Sequence, residues 1–213
     1  MLEYAKHGYI VASVEYRTVE DVPFPASLVD VKAAIRYLKA HADQYCIDKN
    51  HVFVMGESAG AALACQVGIM SGMPEYELGD FLDETSAVDG VIDFYGPAEN
   101  ENYKEQVMED PLMYAAFIQR MGGIPENKQD VIKASSAINY IDSNTPPFLI
   151  VHGMEDEKVD IAQSERLYKK LKENDIPCDF IRILGAKHGT DEFYQKEIVN
   201  IVLEFLDRYS HLQ

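Results

Sequence analysis

Five short stretches of this chain are dense in β-branched, aromatic and aliphatic residues, and amphipathic runs separate most of them. Residues 9–16, 51–56, 88–95, 147–152 and 178–184 read as strands. Their apolar residues run on with little alternation, as expected of strands buried on both faces of a parallel sheet. Between them the period changes to 3.6. Residues 27–42 repeat apolar positions at Leu28, Val31, Ala34, Ile35 and Leu38. Residues 58–70 form a helix of small residues. Residues 161–174 turn Ile161, Leu167, Tyr168 and Leu171 inward, and residues 190–209 carry Phe193, Ile198, Ile201, Val202 and Phe205 on one face. Residues 1–8 read as the last turns of a helix ending at Gly8. Strands alternating with helices predict an α/β fold, a mainly parallel sheet with helices on both faces.

The alternation breaks over residues 97–146. This stretch holds a predicted helix at 111–121, stopped by Gly122-Gly123, among polar connections. A segment this long between strands reads as a helical, cap-like insertion. There is no internal repeat, low-complexity tract or linker, so residues 1–213 are expected to form a single domain.

Composition narrows the function classes. The formal net charge is −17, from 19 basic and 36 acidic residues. That balance repels phosphate backbones and anionic lipid, which argues against nucleic-acid and membrane partners. No run approaches the roughly 18 apolar residues of a membrane span, and the start has no leader pattern. Cys46, Cys65 and Cys178 are odd in number and form no CxxC, as expected of reduced thiols in a cytoplasmic protein. No His, Cys and Asp cluster has metal-ligand spacing, and no cofactor is expected.

Gly56-Glu57-Ser58-Ala59-Gly60 joins a predicted buried strand to a small-residue helix. Gly-x-Ser-x-Gly in that context is the signature of a nucleophile elbow, a tight strained turn that presents a serine hydroxyl. Gly56 and Gly60 are expected to clear side chains from the turn. The Ala59 N–H, at the positive end of the helix, would face a developing oxyanion.

A serine needs a base, and the base needs an acid to orient it. In this fold class the chain order is serine, acid, histidine. Of six histidines, only His188 satisfies both that order and a position in a glycine-flanked loop beyond a strand end. His7, His41 and His211 lie near helix ends or the chain end, and His51 precedes the serine. His152 precedes the acid and is expected to be structural. The acid is one of Glu155, Asp156 and Glu157, which follow the strand ending at His152-Gly153.

With these residues in place, the chain resembles the α/β-hydrolase esterases and lipases. It is most similar to hormone-sensitive-lipase-like carboxylesterases and to acetyl- and feruloyl-esterase-like enzymes. The resemblance rests on Glu15-Tyr16-Arg17, Phe24-Pro25-Ala26, residues 30–38, the elbow, residues 146–153, and Gly185-Ala186-Lys187-His188-Gly189, in the family's order. It implies Asp156 as the acid, three residues after Gly153, and His188 as the base. It also marks a departure. Family members carry a His-Gly-Gly loop upstream that supplies further oxyanion donors, and this chain has no such triplet. The fold is therefore expected to be shortened at its N-terminal side, with a gap beside the elbow strand or a re-paired 9–16 segment. A truncated form, a misassigned start and a natural short form would each account for this. The third would close the gap by strand shifting or as a homodimer.

The resemblance implies a serine ester hydrolase working through an acyl-enzyme on short-chain, small aromatic or carbohydrate-linked esters. Tyr95, Met113, Tyr114 and Phe117 are candidates to line its substrate pocket, against the plainer expectation that they pack the insertion. Two other readings stand beside this one. A prolyl-oligopeptidase-like peptidase shares the domain and the triad order. A weak or inactive hydrolase-like fragment would serve in binding.

Overall fold

The computed structural model describes residues 2–18 and 22–210. Helix α1 (Leu2–Lys6) ends before Gly8, whose φ of +93° suits a residue without a Cβ. Helices α2 (Ala26–Ala40) and α3 (Ala42–Tyr45) follow, then strand β1 (Phe53–Glu57) and helix α4 (Ala59–Ile69). Strand β2 (Gly90–Phe94) leads into the insertion, which holds α5 (Asn100–Val107), α6 (Pro111–Met121) and α7 (Gln129–Ser135). Asp110 caps α6, accepting from the Leu112 and Met113 amides, and Gly122 ends it in the left-handed region at φ +72°. The chain closes with β3 (Phe148–Gly153), α8 (Ala162–Glu173), β4 (Cys178–Ile183) and α9 (Lys196–Ser210).

The four strands form one parallel sheet in the order β1-β2-β3-β4. Every residue of β2 and β3 is buried, as continuous apolar runs require. Side-chain alternation divides the core in two. Val91, Phe148 and Ile150 face a layer of α2, α4 and α8. Ile92, Phe94, Leu149 and Val151 face α9, with Tyr4 of α1 at its margin. The insertion packs Tyr103, Val107, Phe117, Met121 and Ile132 into a small core with Val159 of the loop after β3.

Residues 9–16 depart from expectation. They join no strand and are largely exposed, with Ile10 at 55%. Among the described residues, no backbone–backbone hydrogen bond engages Ile10 to Tyr16. The neighbouring edge, β1, is open as well. The Ser58 amide donates to Phe94 O. By the two-residue alternation of a strand, Gly56 and Val54 therefore face β2, while the backbone of Phe53, Met55 and Glu57 faces away. A cavity of about 670 Å³ separates the two segments, with Tyr9–Val14 on one wall and Val52–Glu57 on the other. An apolar run specifies an extended segment wanting a partner. Whether a partner lies within hydrogen-bonding distance is a tertiary matter.

Candidate active site

The elbow follows from crowding at one residue. Ser58 stands between the end of β1 and the start of α4 at φ +53°, ψ −116°, a conformation that non-glycine residues rarely adopt. It is held by its own amide, which donates to Phe94 O at 2.9 Å, and by its carbonyl, which accepts from Ala62 N at 3.0 Å. A Cβ on Gly56 would lie 2.1 Å from Gly60 O. One on Gly60 would meet nothing within 4 Å. Steric need thus falls on Gly56, whereas the sequence pattern assigned it to both glycines.

Two further loops converge on the serine. His188 Nε2 lies 2.8 Å from Ser58 Oγ, and its Nδ1 lies 2.7 Å from Asp156 Oδ2. An ionised carboxylate only accepts, so Nδ1 carries the proton and Nε2 is left to accept from the hydroxyl. Gly185 and Gly189 flank the histidine at φ +78° and +67° and let the loop turn on both sides of it. The acid and base loops are in backbone contact: Glu155 N donates to Ala186 O at 3.0 Å. A Cβ on Gly153 would meet Ala186 O at 2.3 Å, so this close approach needs glycine. Of the three candidate acids only Asp156 reaches His188. Glu155 is exposed, and Glu157 turns outward to Lys187 at 3.6 Å.

Asp156 is fixed by more than the histidine. Its Oδ1 accepts from the Lys158 and Val159 amides at 2.8 and 2.9 Å. Burial alone would raise its pKa. Hydrogen bonds from His152, His188 and those two amides overcome that and hold the carboxyl well below the usual carboxylate range. His152 is fully buried, with Nε2 2.9 Å from Val159 O and Nδ1 2.7 Å from Ser164 Oγ. It braces the acid loop, the structural part expected of it. His7, His41 and His51 hydrogen-bond to nearby Glu3, Tyr37 and Asp48, His41 also stands edge-to-face with Phe81, and His211 lies outside the described residues.

The Ala59 amide makes no hydrogen bond among the described residues, and Ala59 is exposed next to Ser58. Tyr95 is placed behind the histidine. Its buried ring stands edge-to-face with His188 at 4.8 Å, and its hydroxyl donates to Glu57 at 3.0 Å. Tyr194 donates to the same Glu57 carboxylate at 2.8 Å. This clamp joins residues 57, 95 and 194, and no spacing rule in the sequence announces it. Phe117 is buried in the insertion's core, with Met113 and Tyr114 packed against it. No cluster of three or more His, Cys, Asp or Glu side chains able to hold a metal occurs among the described residues, and none of their helices is long and apolar enough to cross a membrane.

A parallel sheet bearing a serine on a strained strand-to-helix turn, with an acid and a histidine on the loops after its last two strands, is an α/β-hydrolase. The chain belongs to the BD-FAE family, whose model matches residues 1–171. That match includes Ser58 and Asp156 and ends before His188. Esterase LipC of Mycobacterium tuberculosis is 26% identical over 190 residues, 88% of this chain and 46% of that protein. Esterase LipQ of the same organism is 30% identical over 191 residues, 86% of this chain and 43% of its own length. This chain therefore spans less than half the length of these relatives. Among solved structures, a truncated form of a carbohydrate esterase from gut microbiota superposes with a TM-score of 0.82 at 28% identity, covering 93% of this chain and 73% of that one.

Proposed function

We propose that this protein is a serine carboxylic-ester hydrolase acting through an acyl-enzyme. The observation that carries the reading is the unbroken hydrogen-bond chain from Ser58 Oγ through His188 to Asp156, at 2.8 and 2.7 Å. His188 Nε2 takes the Ser58 proton as Oγ attacks the ester carbonyl. The charge then rests on the carbonyl oxygen, facing the Ala59 amide and the N-terminus of α4. The imidazolium is stabilised by Asp156 and gives its proton to the leaving alcohol. Water, deprotonated by the same histidine, releases the acid.

The substrate class we propose is short-chain, small aromatic or carbohydrate-linked esters. The likeness to a carbohydrate esterase supports the last of these. A fluorophosphonate probe tests the nucleophile: labelling is expected in the wild type and lost in Ser58→Ala, and an unlabelled folded wild type would sink the proposal. Rates on 4-nitrophenyl acetate, butyrate and octanoate and on a matched anilide give the acyl range. Faster cleavage of the anilide would favour a peptidase.

A further inference from the structure

Arg120 is out of step with the other arginines. The chain has six. Arg17, Arg36, Arg166, Arg182 and Arg208 each hold a carboxylate within 4 Å. Arg120 holds none among the described residues, although acidic residues outnumber basic ones nearly two to one. The ionisable groups nearest it are two phenols, Tyr103 and Tyr16, and its burial disfavours the charged form. The C-terminal end of α6 gives its charge some compensation but supplies no anion. A partly desolvated guanidinium without an acceptor is costly unless something else provides one.

The side chain lines a small cavity of about 70 Å³ with Tyr16, Phe24, Ala59, Leu63 and Gln66. Ala59 is the residue next to the candidate nucleophile and begins α4, so the helix's positive end borders the same space. Arg120 and the start of α4 thus border one small cavity that reaches the residue after Ser58, and the mechanism above uses the helix end but not Arg120.

We propose that Arg120 is a specificity residue that binds a carboxylate carried by the ester substrate. The inference rests on the ester-hydrolase reading and names its substrate class: esters bearing an anionic substituent near the scissile bond. Because the overall charge of −17 repels anions at long range, recognition of such a substrate must be local. A guanidinium matches a carboxylate with two parallel hydrogen bonds.

Two substrate pairs test the proposal and separate the two places the carboxylate could sit. 4-Nitrophenyl hydrogen glutarate against its methyl-capped ester puts the charge on the acyl side. 4-Acetoxybenzoate against methyl 4-acetoxybenzoate puts it on the alcohol side. The expected result is a wild-type preference for the acid in one pair. In Arg120→Gln the acid-to-capped ratio of kcat/KM should fall about tenfold or more, and in Arg120→Lys it should fall less. Arg120→Met removes the charge without adding a polar group and repeats the test should the glutamine variant fold poorly. Ratios unchanged in both pairs on charge removal would overturn the proposal. A second readout needs no chemistry: monomethyl glutarate and benzoate, one for each side, should raise the melting temperature of Ser58→Ala, and the rise should vanish when Arg120→Gln is added. Should the fluorophosphonate experiment fail, this shift still decides the site. Its absence, or its persistence without Arg120, counts against it.

Discussion

Replacing Gly56 by alanine is expected to disable the proposed site while leaving Ser58, Asp156 and His188 themselves unchanged. The new Cβ would lie 2.1 Å from Gly60 O, 2.2 Å from Gly60 C and 2.6 Å from Ala61 N. All three are backbone atoms, so no rotamer change relieves the overlap. Carbon contacts below about 3.0 Å are essentially never tolerated. The start of α4 must therefore shift from β1 by roughly 3.0 − 2.1 ≈ 0.9 Å. Directed along the Ser58–His188 bond, that shift would lengthen 2.8 Å to about 3.7 Å, beyond hydrogen-bond range. A misplacement near 1 Å can cost about 10²-fold in rate, and overpacking of this kind costs about 1–3 kcal/mol of stability. The assay is the second-order rate of fluorophosphonate labelling, paired with thermal unfolding followed by circular dichroism. Gly60→Ala is the control, since its Cβ would enter open space. It should melt no lower than the wild type, because alanine is the better helix former. A Gly56→Ala protein that labels and melts like the wild type would refute the steric account of the elbow.

Three further outcomes follow from the geometry. Asp156→Asn should lower the labelling rate by up to about 10⁴-fold in a folded protein, because an amide can donate to Nδ1 and so favour the wrong tautomer; labelling near the wild-type rate would remove Asp156 from the triad. Asp93, fully buried on β2, accepts from Gly96 N at 2.8 Å, and burial raises its carboxyl to about 6 from 3.8. Between about pH 4 and 6 the folded state then holds a proton that the unfolded state has released. Stability from this group is present below that window and lost as pH rises through it, by up to about 3 kcal/mol. Urea unfolding at pH 4.5 and 8 should therefore show Asp93→Asn gaining on the wild type at the higher pH, and the opposite trend would refute the burial argument. The open edge of β1 is expected to pair with a second copy, giving a dimer by light scattering that Met55→Lys disrupts; a monomer at every concentration would count against it.

Much of the site was legible in the chain because its chemistry depends on local order. A strand, a serine between small residues and a small-residue helix specify an elbow at 56–60 wherever the rest of the fold lies. Glycines around His188 predict a turning loop, and the two that flank it indeed occupy positive φ. The acid was narrowed to three neighbours, and there local information ended. Glu155, Asp156 and Glu157 differ in which one points toward a histidine loop whose His188 is 32 residues from Asp156 in sequence. The two amides that hold Asp156 and the Ala186 carbonyl against Gly153 settle that geometry.

The sequence by itself determined four of the five strands, the helices that alternate with them and the elbow turn, because burial periodicity and backbone strain are properties of a few consecutive positions. Only the tertiary structure decided which apolar runs find partners and which side chains meet. Residues 9–16 carry a strand's pattern and stand unpaired across a cavity from β1. Tyr95 backs His188 beside Glu57 and Tyr194, and Arg120 holds no carboxylate among the described residues. A hydrogen bond or an ion pair needs its second group in space, and that placement is set by the packing of distant elements.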